Sequence, residues 1–135
     1  MGLEERVTAL WWLLSRAAPS DLSRSAAATL GRLREDGPQR IGALAAGEAV
    51  SQPTMTCVIQ RLEREALVQR SPDPDDARAT RIAITPAGLD ALEQRASERA
   101  AALAPHLGRL STQDRRALAD ALHAIDTLMD EAGTR

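Results

Sequence analysis

The stretch that most constrains this chain lies between residues 41 and 85, where two short helical segments, a tight turn and a β-hairpin follow one another without a linker. Ile41, Leu44 and Ala45 turn apolar side chains to one face of a short helix. Residues 47–50 form a brief turn. Ser51-Gln52-Pro53 then opens a second helix with a capping hydroxyl and a proline whose missing N–H costs nothing in a first turn. That helix runs to about residue 65. Residues 67–70 and 81–85 read as two short strands, and residues 71–80 between them, rich in Pro and Asp, make a long polar tip. Two helices joined by a tight turn and followed by a hairpin form a winged helix-turn-helix, whose second helix is built to enter a DNA major groove.

Helices are expected on both sides of this core. Leu3, Val7, Leu10, Leu14 and Ala17 fall at spacings of four, three, four and three, an apolar stripe that stops near Pro19. Ser20-Asp21 is expected to cap a helix over residues 22–34, ended by Glu35-Asp36-Gly37-Pro38, where glycine supplies the left-handed stop. Pro86 starts a further helix carrying Leu89, Leu92, Ala96, Leu103, Leu107 and Leu110, with Pro105 expected to kink or break it. Ser111 and Asp114 resemble a capping box ahead of a last helix with Leu118, Leu122, Ile125 and Met129 on one stripe. The fold class is therefore mainly α with a small β-hairpin wing, on a single domain of 135 residues.

Composition narrows the function. Phe and Tyr are absent, so Leu, Ala, Ile and Val must fill the core, which suits packed helices. The formal net charge is -2, so attraction to phosphate must come from local placement. Over residues 40–85 the balance is even: Arg40, Arg61, Arg64, Arg70, Arg78 and Arg81 against Glu48, Glu63, Glu65, Asp73, Asp75 and Asp76. Cys57 is the one cysteine, which excludes an intrachain disulfide framework and fits a reducing compartment. Glu4 and Glu5 stand where a signal peptide needs positive charge, and the apolar run 9–14 is too short to span a bilayer. Arg6 stands where a myristoylation motif needs Ser or Thr. A soluble cytoplasmic protein without membrane partner, metal or cofactor is the expectation.

A helical wheel divides the second core helix. Val58, Ile59 and Leu62 fall within about 60° of Met55, and the four form the packing face. Pro53, Cys57, Gln60 and Arg64 lie opposite, flanked by Thr54, Thr56 and Arg61. Ser51, Gln52 and Thr54 sit at the N-terminus, where free N–H groups favour a phosphate or a base edge. Gln52, Thr54, Thr56 and Gln60 are the expected readers of base edges or nearby phosphates, and Arg61 and Arg64 of backbone phosphates.

These residues carry a resemblance. Ile41-Gly42-Ala43-Leu44-Ala45, Val50-Ser51-Gln52-Pro53-Thr54-Met55-Thr56, Arg61-Leu62-Glu63, Leu67-Val68-Gln69-Arg70, Ser71-Pro72-Asp73-Pro74-Asp75-Asp76-Ala77-Arg78 and Ile84-Thr85-Pro86-Ala87-Gly88 resemble the DNA-binding core of the multiple antibiotic resistance regulator (MarR) family. The wing segment and the Thr-Pro-Ala-Gly helix start are its most specific parts. The resemblance implies a homodimer on double-stranded DNA. Residues 1–18 and 86–135 would form the dimerisation helices and residues 22–85 the DNA-binding lobe. It further implies a palindromic operator, recognition helices in successive major grooves, wings in flanking minor grooves, a repressor's role and release by a small aromatic or phenolic effector. Arg78 would be the wing arginine, where concentrated negative potential lets one guanidinium outweigh nearby acids, and Asp76 would steady it. Arg70 joins the expected DNA-binding set.

Two departures alter that inheritance. Ala77 stands where many family members carry a second wing arginine, and Cys57 where many carry an arginine on the groove face, so base preference should differ from theirs. Oxidation or alkylation of Cys57 would set a bulky or charged group against DNA, although no His or Lys adjoins it to activate the thiol. Trp11 and Trp12 lie on the first helix, one expected in the dimer interface and the other beside an effector cleft, although a Trp at helical spacing is more often a core residue; His106 and His123 are expected as ordinary surface or interface residues. An enzyme is disfavoured by the absence of a phosphate-cradling glycine loop, a His-Glu-x-x-His motif or paired cysteines. A winged-helix protein-interaction module is the stronger rival, and a steep fall of DNA affinity with salt would discriminate against it.

Overall fold

The computed structural model describes residues 2–16 and 22–132. Its elements in chain order are α1 (Leu3–Arg16), α2 (Arg24–Asp36), α3 (Ile41–Gly47), α4 (Gln52–Arg64), β1 (Val68–Pro72), β2 (Thr80–Ile84), α5 (Pro86–Gly108), α6 (Thr112–Asp120) and α7 (Leu122–Glu131). The winged helix-turn-helix expected from the sequence is present. The chain forms two compact units, residues 20–97 and residues 1–19 with 98–135, so the division falls inside α5.

The unit of residues 20–97 holds the core. Leu30, Leu33, Leu44, Met55, Ile59, Leu62, Val68 and Ile82 are all buried, with Leu92 and Ile84 packed against them. The stop at Gly37 is as read from the sequence: φ is 77° and its N–H donates to Leu33 O at 3.0 Å. The start of α2 differs. The Ser20-Asp21 cap and Ala17 and Pro19 lie outside the described residues, and the N-cap is Ser23, whose hydroxyl accepts from Ala26 N at 3.2 Å. Arg95 on α5 donates to Leu22 O just ahead of it.

The turn between α3 and α4 closes through Val50 N donating to Ala45 O at 3.0 Å, with Ala49 in the left-handed region at φ 53°. Arg32 staples it to α2: Nε meets Glu48 Oε1 and an Nη donates to Gly47 O, each at 2.9 Å. A side chain at Gly47 would occupy the space that guanidinium fills.

The hairpin is antiparallel, with Val68 opposite Ile84 and Pro72 opposite Thr80. Pairing therefore extends further along the hairpin than the sequence suggested, and the loop shrinks to residues 73–79. Gln39 adds a bridge to Ile82, exchanging hydrogen bonds of 3.0 and 2.7 Å. At the far end, Thr85 Oγ1 donates to Ala66 O at 2.7 Å and accepts from Gly88 N at 3.1 Å. A Cβ on Gly88 would lie 2.3 Å from Leu67 O, so only glycine lets α5 start this close to β1. That contact gives the Thr-Pro-Ala-Gly motif its physical meaning.

The other unit has no fully buried side chain among its described residues. Leu3, Leu10, Trp11 and Leu13 on α1 and Leu118, Leu122, Ile125 and Leu128 on α6 and α7 are exposed. Trp11 and Trp12 meet edge to face at 4.9 Å and are both about half exposed. Two expectations need correction. Pro105 does not break α5, which runs on to Gly108. The last helix instead divides at Ala121, although Ala121 N still donates to Ala117 O and Ile125 N to Ala121 O, so the division is a bend in a continuing ladder.

Candidate nucleic-acid interface

α4 is amphipathic in the way its sequence dictates. Met55, Ile59 and Leu62 are at most 2% exposed and Val58 is half-buried against the core. Gln52, Pro53, Thr54, Cys57, Gln60, Arg61 and Arg64 are exposed, and Thr56 is intermediate. Ser51 caps the helix: its Oγ accepts from Thr54 N at 3.3 Å and lies 2.8 Å from Thr54 Oγ1. Thr56 Oγ1 donates to Gln52 O at 2.9 Å, so its proton is committed to the backbone and its oxygen remains an acceptor. The side-chain amides of Gln52 and Gln60 make no hydrogen bond among the described residues, which leaves their donors and acceptors open to a ligand.

The six arginines of this region divide sharply. Arg61 pairs with Glu65 at 3.4 Å, and Arg70 on β1 pairs with Glu63 on α4, tying the hairpin to the end of that helix. Arg40 and Arg81 converge on Asp73, and Arg81 also reaches Asp75. Among the described residues Arg64 and Arg78 have no carboxylate partner. The even charge count in the sequence thus conceals two unpaired guanidiniums, one on the outward face of α4 and one at the hairpin tip. Asp76 meets Arg78 only through the backbone, accepting from its N–H at 2.9 Å. The acids near the tip hold other groups and leave the Arg78 side chain available.

Sequence reasoning missed the Asp73 cluster, because its members come from positions far apart in the chain and no local spacing joins them. Arg40 Nε lies 2.6 Å from Asp73 Oδ2, Arg81 Nε 3.3 Å from the same oxygen, and Asp75 N donates to Oδ1 at 2.8 Å. The Asp73 side chain is 1% exposed. The Arg40 hydrogen bond foremost, then that of the Asp75 N–H, pulls its carboxyl down to about 2. The same bond holds the Arg40 guanidinium above its ordinary value.

Two cavities adjoin α4 within this unit. One of about 760 Å³ opens between the start of α3 and the hairpin, lined by Arg40, Gly42, Gln52, Asp73 and Arg81 among others. A smaller one of about 270 Å³, mostly apolar, lies between α2 and α4 and is lined by Ala28, Thr29, Val50, Met55 and Val58.

An amphipathic α4 with a polar outward face, beside a hairpin bearing an unpaired arginine, is a DNA reader's geometry. The MarR family model matches residues 22–80, from the start of α2 through α4, β1 and the hairpin tip that bears Arg78. An HTH-type transcriptional regulator of Mycobacterium tuberculosis is 32% identical over 117 residues, covering 87% of this chain and 82% of the relative. The chain belongs to the MarR family. This MarR-family chain is accordingly a DNA-binding transcriptional regulator. The HTH-type transcriptional repressor NicR of Pseudomonas putida is 38% identical over 65 residues, 48% of this chain and 41% of that protein. Among solved structures, a putative transcriptional regulator of Pseudomonas aeruginosa matches with a TM-score of 0.74 at 25% identity, over 95% of this chain and 90% of the other.

Proposed function

We propose that this regulator is a homodimeric repressor that binds a palindromic operator and lets go when a small aromatic or phenolic effector binds. The observation that carries the DNA-reading part is the division of the arginines. Among the described residues, Arg64 and Arg78 alone of the arginines of α4 and the hairpin have no carboxylate partner, and they stand on the two elements that enter grooves. In this reading α4 lies in the major groove. Gln52 and Gln60 read base edges with their open amides, and Thr54 and Thr56 accept or contact nearby atoms. Ser51, Pro53 and Cys57 line the approach, Arg64 holds a phosphate, and Arg78 enters the flanking minor groove. Arg61 and Arg70 reach phosphate only by giving up Glu65 and Glu63, so their contributions are smaller.

The exposed apolar faces of α1, α6 and α7 support the dimer, since helices with no buried side chain of their own gain stability by covering such faces with a second copy. Residues 1–18 and 86–135 supply those helices, and residues 22–85 the DNA-binding lobe. The likeness to NicR supports repression. The cavity against Met55 and Val58 supports effector control, because a small molecule there would press on the side chains that seat α4.

The test is a binding titration of the purified protein on the DNA upstream of its own gene and on a scrambled duplex of equal length, each at two salt concentrations. Tight, salt-sensitive and sequence-selective binding is expected. Weak and equal binding to both duplexes, repeated on DNA selected from a random pool, would refute the repressor reading.

A further inference from the structure

We propose that Asp73 is a positioning residue for DNA reading: its carboxylate locks the hairpin tip onto the start of α3 and so sets where Arg78 stands relative to α4. The proposal rests on Arg78 being the wing's DNA contact. A carboxylate at a polar loop is expected in water, yet that of Asp73 is 1% exposed. A charge withdrawn from water in this way persists only where donors replace the lost hydration. Asp73 has three, from two other segments and its own loop: Arg40 Nε, Arg81 Nε and Asp75 N. Its own N–H donates to Ala79 O at 3.0 Å, and Ala79 N donates to Asp76 O at 3.0 Å, closing the loop around the residue next to Arg78.

Arg40 is what carries this loop's position to the reading helix. It is the N-cap of α3, but makes no side-chain cap and extends to Asp73 instead. Beside it, Gln39 bridges Ile82 on β2. α3 in turn shares its core with α4 through Leu44 and Ala45 against Met55, Ile59 and Leu62. Hairpin tip, α3 and α4 are thus fastened in series, and Asp73 is the link nearest to Arg78.

Electrostatics alone predicts the opposite of positioning. Removing the Asp73 charge would release Arg40, leave Arg81 with Asp75 alone, and strengthen attraction to any DNA. Positioning predicts lost selectivity even as that attraction rises.

The experiment compares wild type, Arg78→Ala, Asp73→Asn and the double variant on the upstream DNA and on a scrambled duplex. Asp73→Asn is expected to lose about tenfold in selectivity with scrambled-duplex affinity unchanged or raised. The double variant should fall no further than Arg78→Ala, because a displaced arginine cannot be lost twice. Selectivity retained in Asp73→Asn, or losses that add, would overturn the proposal. Should Asp73→Asn fail to fold, Arg40→Gln, which opens the link from its exposed side, is judged by the same outcomes. If Arg78→Ala alone has no effect, the Arg78 reading itself has failed. Hydrogen exchange then judges the link: faster exchange at the Asp75 and Ala79 amides of Asp73→Asn with Ile59 unchanged supports it, and unchanged exchange at all three refutes it.

Discussion

Replacing Arg78 with alanine tests the charge accounting of this surface directly. Each phosphate neutralised by a free cation steepens the dependence of log affinity on log salt by about 0.9 on duplex DNA. Arg64 and Arg78 lack carboxylate partners among the described residues, which gives four free guanidiniums in a dimer. The wild-type slope should then be roughly -3.6, and Arg78→Ala should reduce it to about -1.8. Arg70→Ala should change it little. Arg70 already neutralises Glu63, so moving it to a phosphate exposes a carboxylate that gathers cations as the phosphate sheds them. Arg78→Ala should also weaken binding to scrambled DNA by at least about tenfold at moderate salt, and to the upstream DNA by about tenfold more again, because the contact reads the shape and potential of its own site's minor groove. The assay is fluorescence anisotropy on one duplex at five or more salt concentrations. A slope unchanged by Arg78→Ala, or a wild-type slope near -7 with equal losses from Arg61, Arg64, Arg70 and Arg78, would show that the intramolecular ion pairs do not decide which cations reach DNA.

Much of this surface was legible because periodicity and capping are local. The inward face of α4, the Ser51 cap, the Gly37 stop and the existence of the hairpin follow from residues within a few positions of one another. The failures share a cause as well. Ser23 caps α2, a choice that the sequence leaves open because helix ends vary by one or two residues among adjacent candidates. Pro105 reads as a breaker from sequence, yet α5 accommodates it three residues before its end. Counting charges gave neutrality where pairing matters. Which arginines are free depends on Arg40 meeting Asp73 and Arg70 meeting Glu63, pairings set by the packing of α3 and α4 against the hairpin. The most buried carboxylate of the hairpin therefore resembled one more solvated acid among the Pro and Asp residues of its tip.

Gln60→Ala should relax base preference at one position of each half-site by about 1–3 kcal/mol. Thr56→Ala should do less, since its hydroxyl proton is bound to Gln52 O, and selection from a random DNA pool would read both outcomes. Gly88→Ala should destabilise the unit of residues 20–97 by roughly 1–3 kcal/mol in urea unfolding, because its Cβ would fall 2.3 Å from Leu67 O; an unchanged midpoint would mean that α5 can shift freely on β1. Leu122→Glu with Ile125→Glu should convert the protein to monomers in sedimentation and weaken operator binding, whereas a persistent dimer would move the interface elsewhere. Acid titration isolates Asp73. Its carboxyl is held down to about 2 against an ordinary value of 3.8, so folding favours the ionised form. The stability this contributes is complete above about pH 4 and is lost as the pH falls through about 2. Asp73→Asn never has that contribution, and every other carboxylate is common to both proteins. The stability gap between them should therefore be constant from pH 7 down to about 4 and close towards pH 2. A gap that stays constant down to pH 2 would mean that the Asp73 carboxylate gains nothing from Arg40 and Arg81 on folding.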